Sequence, residues 1–183
     1  KIYRIRGRSY YESHKVFPKH DFSGDLAEKA YLIGFRLGDL NIYRVRKLIQ
    51  ARCSTTIQDQ VDLIESLFKK YGHVHIWKAK RGTIEIVVLL NESFDFLLPK
   101  KDKVENWILD NKKCFFSFLA GYSDAESCIL IRKSNLGSRR PFAGFELASY
   151  DKNLLLQVAK MLVKFGLIFP KPFITHKAGV NSR

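Results

Sequence analysis

Ala30-Tyr-Leu-Ile-Gly-Phe-Arg-Leu-Gly-Asp39 has a pattern that returns 87 positions later as Ser117-Phe-Leu-Ala-Gly-Tyr-Ser-Asp-Ala-Glu126. Ala30, Gly34 and Gly38 fall at i, i+4 and i+8, and so do Ser117, Gly121 and Ala125. Wound as a helix, each segment carries one stripe of small residues, and such stripes let two backbones touch. In both copies an acid follows the last small residue, and each helix is expected to end there. Packing stripe on stripe would then bring Asp39 and Glu126 together at one end of a two-helix seam. Two juxtaposed carboxylates cost Coulomb energy unless a divalent cation or a shared proton lies between them. Two core helices that each end in an acid by chance are the plainer account, but stripe, spacing and acid recur together.

Leu32-Ile-Gly-Phe-Arg-Leu-Gly-Asp-Leu40 and Leu119-Ala-Gly-Tyr-Ser-Asp-Ala-Glu-Ser127 resemble the two motifs of a single-chain LAGLIDADG homing endonuclease, the second more closely. In that family the penultimate acid of each motif binds the catalytic metals, which the resemblance places on Asp39 and Glu126. The first copy departs at Leu37, where the family has an inner acid, and at Leu40, where it has a glycine; the second departs at Ser127. None of these removes the metal-binding acid. The resemblance implies an α+β fold of duplicated αββαββα halves. Their antiparallel sheets would form a DNA-binding saddle, with the motif helices packed at a pseudo-twofold interface. It also implies metal-dependent double-strand cleavage at a long intron or intein homing site, with Mg²⁺ or Mn²⁺ as cofactor and Ca²⁺ non-productive. The family's basic residue near the metals falls on Lys100 or Lys101, for which a basic linker is an equally good account.

The composition agrees with a nucleic-acid partner. The 183 residues, 46% of them apolar, suit one compact two-part domain. A net charge of +14 makes a polyanion the expected partner. Cys53, Cys114 and Cys128 form no C-x-x-C spacing, which argues against a disulfide framework or a zinc site and fits a reducing, intracellular compartment. The apolar run Ile86-Val-Val-Leu-Leu90 is far too short to span a bilayer and no signal-peptide pattern opens the chain, so membrane insertion is not supported. A monomer is expected.

Outward from the first motif, residues 1–24 read as a basic arm with Arg4, Arg6 and Arg8 among Tyr3, Tyr10 and Tyr11, suited to phosphate contact with stacking or to plain solvation. Lys1 is no initiator methionine, so a trimmed amino end is expected. Ser23 or Asp25 would cap the motif helix. Asn41 to Cys53 is strand-like but only 13 residues long for two strands and a turn, so either the hairpin is unusually tight or residues are absent. Arg44 and Arg46, then Gln50 and Arg52, alternate with apolar or aromatic residues and would give each strand a polar, base-reading face. A helix from about Ile57 to Tyr71 closes at Gly72. A hairpin of Val74–Lys80 and Thr83–Leu90 turns at Arg81-Gly82 and brings Lys78 and Lys80, and a short helix follows near Ser93 to Leu98. His73 and His75 lack a third ligand nearby and read as surface or DNA-facing.

Residues 25–98 thus form the first repeat, 99–112 a polar linker, and 113–183 a second repeat without its end. Cys128 to Arg132 and Phe142 to Ser149 are its strands, and Asp151 to Phe165 its helix, closed by Gly166. Those helix-closing glycines are 94 positions apart against 87 for the acids, so seven residues have entered the second hairpin, at the basic loop Ser134 to Arg140. Lys171 to Lys177 would be the third strand. Counterparts of Thr83 to Leu98 do not follow, so a fragment is expected. Arg132, Lys133, Asn135, Arg139 and Arg140 join the first half's basic residues as candidate DNA contacts, many of them to phosphate alone. Three further functions remain open: a maturase binding intron RNA, a catalytically inactive DNA-binding protein of the same fold, and a purely structural helix pair in a basic scaffold.

Overall fold

The structure, a computed structural model, describes residues 17–132, 142–169 and 171–173. It is α+β and falls into two compact units, one of residues 17–23 and 40–98, the other of residues 24–39 with the described residues from 99 onward. The first motif helix therefore belongs with the second unit rather than with the strands that follow it.

The first unit is a four-stranded antiparallel sheet in the order β1-β2-β4-β3, formed by β1 (Asn41–Val45), β2 (Leu48–Thr55), β3 (Val74–Lys78) and β4 (Ile84–Leu90). The hairpin is the tight one: Val45 pairs with Leu48, leaving Arg46 and Lys47 as a two-residue turn. Arg46 takes φ 55, the left-handed region that such turns usually assign to glycine or asparagine. Ile42, Ile49, Ala51, Cys53, Ile86, Val88 and Leu90 alternate inward and are buried. The same unit buries Val61, Ile64 and Phe68 of α2 (Gln58–Phe68), and Phe94 and Leu97 of a 3-10 helix (Glu92–Leu97). Phe22 packs edge-on to Phe94 at 5.5 Å, and its N–H donates to Ser93 Oγ at 2.8 Å. Gly72 follows α2, as expected, but for a different reason: a Cβ there would lie 2.8 Å from the carbonyl oxygen of Leu89, so β4 and not a left-handed cap requires the glycine.

The second unit holds α1 (Leu26–Gly38), α3 (Asn106–Leu109), α4 (Lys112–Glu126), the hairpin of β5 (Ser127–Arg132) and β6 (Phe142–Leu147), and α5 (Lys152–Lys164). Asp25 is the cap, its Oδ1 accepting from Glu28 N–H at 2.8 Å, and Asn111 caps α4 by accepting from Cys114 N–H at 3.0 Å. Asp102 does the same for α5 through Leu154 N–H at 3.1 Å. Gly166, at φ 85, supplies the left-handed residue after α5. The core joins Ala30 and Leu37 of α1, Ile108 of α3, Phe115, Phe118 and Tyr122 of α4, and Leu154 and Val158 of α5.

Ile129 and Phe145 face each other across the β5–β6 register and are both exposed, as is Ile131. Lys171 to Phe173 form no regular element, and the rest of the expected third strand, Ile174 to Lys177, lies outside the described residues. No described helix is long and apolar enough to cross a membrane.

Candidate metal centre and nucleic-acid face

Helices α1 and α4 run parallel, because their ends meet in kind. At the amino ends Lys113 Nζ donates to Asp25 Oδ2 at 2.9 Å, and at the carboxyl ends Gly38 lies against Ala125 and Glu126. Between them the backbones touch. A Cβ on Gly34 would strike the carbonyl oxygen of Phe118 and sit 2.9 Å from Tyr122 N, while one on Gly121 would strike the carbonyl oxygen of Tyr31 and sit 3.0 Å from Phe35 N. Two of the expected glycines are thus the crossing itself. Ala30 is fully buried beside them, and Ser117 and Ala125 are half-buried. Across the same seam Tyr31 Oη donates to Asp124 Oδ2 at 2.6 Å, and burial and this acid together push the phenol pKa well above its usual value.

Parallel packing puts the two negative helix ends side by side, and each ends in a carboxylate. Asp39 is the C-cap of α1 and Glu126 the last residue of α4. A Cβ on Gly38 would lie 2.8 Å from Glu126 Cγ and 3.2 Å from its Oε1, so the Glu126 side chain folds over the glycine just before Asp39. Burial raises the Glu126 pKa, the charges of Asp39 and Asp151 raise it further, and Lys100 alone opposes them. Carboxylates from two helices, set where both helix ends are negative, form a hard oxygen-donor pair suited to a divalent cation. Among the described residues no group of three or more His, Cys, Asp or Glu stands close enough to hold an ion by itself. A cation here would need further ligands from outside the chain, as Mg²⁺ usually does by keeping several waters. Of the two candidate lysines, Lys100 is the one whose charge reaches Glu126, whereas Lys101 Nζ pairs with Glu105 at 3.5 Å.

On the four-stranded sheet the register divides the polar residues expected on each strand between the two faces. Arg44 is opposite Ile49, on the side that holds Ile42 and Ala51, and its guanidinium reaches Glu92 at 3.4 Å. Lys78 pairs with Ile84, also on the covered side. Gln50 and Arg52 do share the open face, with Asn41, Tyr43, His75 and Trp77 beside them. Arg46 and Lys80 sit in the two turns. Trp77 and Tyr43, each more than two-fifths exposed, are large aromatic surfaces on this face. His73 stacks on Phe17 with ring centroids 3.8 Å apart, and His75 meets both edge-on; burial and His73 lower the His75 pKa.

The open face also holds a group that periodicity did not reveal. Glu85, nearly fully buried, accepts hydrogen bonds from Arg81 Nη2 at 2.8 Å, Ser54 Oγ at 2.8 Å, Arg52 Nη2 at 3.0 Å and Thr83 Oγ1 at 3.2 Å. These donors, Arg52 first, hold its carboxyl at about 2. The one trace in the sequence is an acid in the apolar strand Ile84–Leu90, four residues after Arg81.

In the second unit Arg132 is the last residue of β5, and Lys133, Asn135, Arg139 and Arg140 lie outside the described residues, as does the basic arm through residue 16.

No protein-family model matches the chain, and no curated protein sequence does. Solved structures do. The fold is similar to that of I-DmoI in complex with DNA and Mn, with a TM-score of 0.51 and 16% identity over 77% of this chain and 78% of that one. It is equally similar to mesophilic variants described as the homing endonuclease I-DmoI, with the same score, identity and coverage. A third match, again at 0.51 and over the same shares of both chains but at 18% identity, is a substituted I-DmoI with its nicked target DNA and Mn. At these identities the likeness establishes the fold: α+β, with an antiparallel sheet and several helices, as in I-DmoI.

Proposed function

We propose that this chain is a sequence-specific DNA endonuclease of the LAGLIDADG kind, a monomer that makes a metal-dependent double-strand break at a long homing site inside the cell. One observation carries the proposal: a glycine-to-backbone crossing of two parallel helices whose carboxyl ends present Asp39 and Glu126 side by side. Nothing about stability calls for this. Two acids at two converging negative helix ends raise the energy of the folded chain, and burial followed by the charge of Asp39 pushes the Glu126 pKa up.

Asp39 and Glu126 would hold Mg²⁺ or Mn²⁺, and a cation bound there supplies Lewis acidity, lowering the pKa of water and stabilising charge on a departing 3′ oxygen. The two carboxylates fix the place of the charge, and Lys100 offsets part of it. The open face of the four-stranded sheet, with Gln50 and Arg52 between Tyr43 and Trp77, would read base edges in the major groove, while Arg46 and Lys80 in the turns would serve phosphates. The net charge of +14 gives that duplex its attraction.

The test is selection of cleavable sites from a randomised duplex library with Mg²⁺ present. Enrichment of one long site with cuts in both strands supports the proposal. Binding to a structured intron RNA with no duplex cut under any divalent cation would replace it with the maturase.

A further inference from the structure

The strand position of Glu85 does not ask for an acid. Its neighbours on the same face are Val87 and Leu89, and a well-packed apolar side chain would serve the sheet as well as a buried ion pair. Four donors saturate the carboxylate, two of them guanidiniums arriving from different segments, Arg52 on β2 and Arg81 in the β3–β4 turn. Arg81 is pinned further, by Nε to Thr83 Oγ1 at 3.1 Å and by Nη2 to Ser54 Oγ at 3.2 Å. Both side chains nevertheless remain open to solvent, Arg52 at 47% and Arg81 at 68%, so each keeps N–H groups that no protein atom uses up.

Two free arginines on a strand would reach for whichever phosphate or base lay nearest. Tethered to one carboxylate they are held in place, and the N–H groups left over, which for Arg81 are the two on Nη1, can donate to the O6 and N7 acceptors of guanine. Glu85 also cancels one of the two positive charges, which lowers attraction to phosphate and leaves geometry to decide. We infer that Glu85 is a specificity-determining positioning residue, which aims Arg52 and Arg81 at guanines in adjacent base pairs of the target and gives up non-specific affinity to do so. The inference rests on the proposed reading of the open face as the DNA surface.

The test compares the parent with Glu85→Gln, Arg52→Ala and Arg81→Ala. Each protein sample competes the selected duplex against single-position variants in Ca²⁺, so that any unfolded fraction cancels from the ratio. The expected result is that Glu85→Gln loses about tenfold of its preference for guanine at two adjacent positions. The two alanine variants each lose preference at one of those positions, and binding of Glu85→Gln to random duplex is unchanged or tighter. Unaltered preference in Glu85→Gln, or an equal loss at every position, would overturn the inference while leaving the endonuclease in place. A parent that selects no duplex at all would instead overturn the proposed function, and this inference with it.

Discussion

The seam of α1 and α4 and the open face of the four-stranded sheet are held by opposite means. At the seam backbone meets backbone, and Gly34 and Gly121 are there because any side chain would strike a carbonyl oxygen. On the sheet long side chains meet over a buried acid, and Arg52, Arg81 and Glu85 touch one another through side-chain atoms alone. The first arrangement tolerates nothing and fixes where two carboxylates stand. The second is adjustable, which suits a surface that must match one sequence.

The contrast is broken most severely at the seam. Gly121→Leu should destabilise the unit built on α1 and α4 by roughly 3 kcal/mol, because the clash is with the main chain of Tyr31 and no rotamer relieves it. A lowered thermal midpoint with loss of near-ultraviolet dichroism would show it. A variant as stable as the parent would mean that the helices do not cross there.

Tyr31→Phe keeps the ring and removes only the hydrogen bond to Asp124, so a smaller loss of about 1 kcal/mol is expected in urea unfolding. Combining it with Asp124→Ala should cost less than the sum of the two single changes, since both break one bond. Full additivity would detach that bond from the seam.

These differences explain what the sequence disclosed. Close helix contact admits few residue types, so Ala30, Gly34, Gly38, Gly121 and Ala125 announce it at a fixed interval, and the acids come with it. A strand's polar face is legible only relative to its partner, and that depends on the length of the turn. The turn at Arg46-Lys47 carries no glycine or asparagine to mark it, so Arg44 could be assigned to the wrong face. Glu85 passed as an ordinary strand residue because its four partners come from β2 and the β3–β4 turn.

On the sheet the effects are milder and depend on pH. The Glu85 carboxyl titrates at about 2 in the fold against an ordinary 4.5, so between those values the unfolded chain binds more protons than the folded one. Its stabilisation is complete above about 4.5 and is lost as pH falls toward 2. Thermal midpoints of the parent and of Glu85→Gln, measured from pH 6 downward, should converge across that window. A gap that stays constant would mean that the carboxylate is not held by its donors.

The smallest effect is expected at Arg44. Its pairing with Glu92 is solvent-exposed, so Arg44→Ala should change stability by no more than about 0.5 kcal/mol. In competition binding it should leave base preference intact, while Arg52→Ala does not. Relaxed preference in Arg44→Ala would return that residue to the reading face and undo the register argument.

The most direct measurement bears on the paired acids. Asp39→Asn, Glu126→Gln and the double variant are assayed beside the parent on one selected duplex, for cleavage in Mg²⁺ and for binding in Ca²⁺. Neutralising either carboxylate removes an anionic metal ligand and also a charge that repels phosphate. Each single change should abolish double-strand cleavage while specific binding holds or tightens. Undiminished cleavage of both strands by the double variant would contradict it.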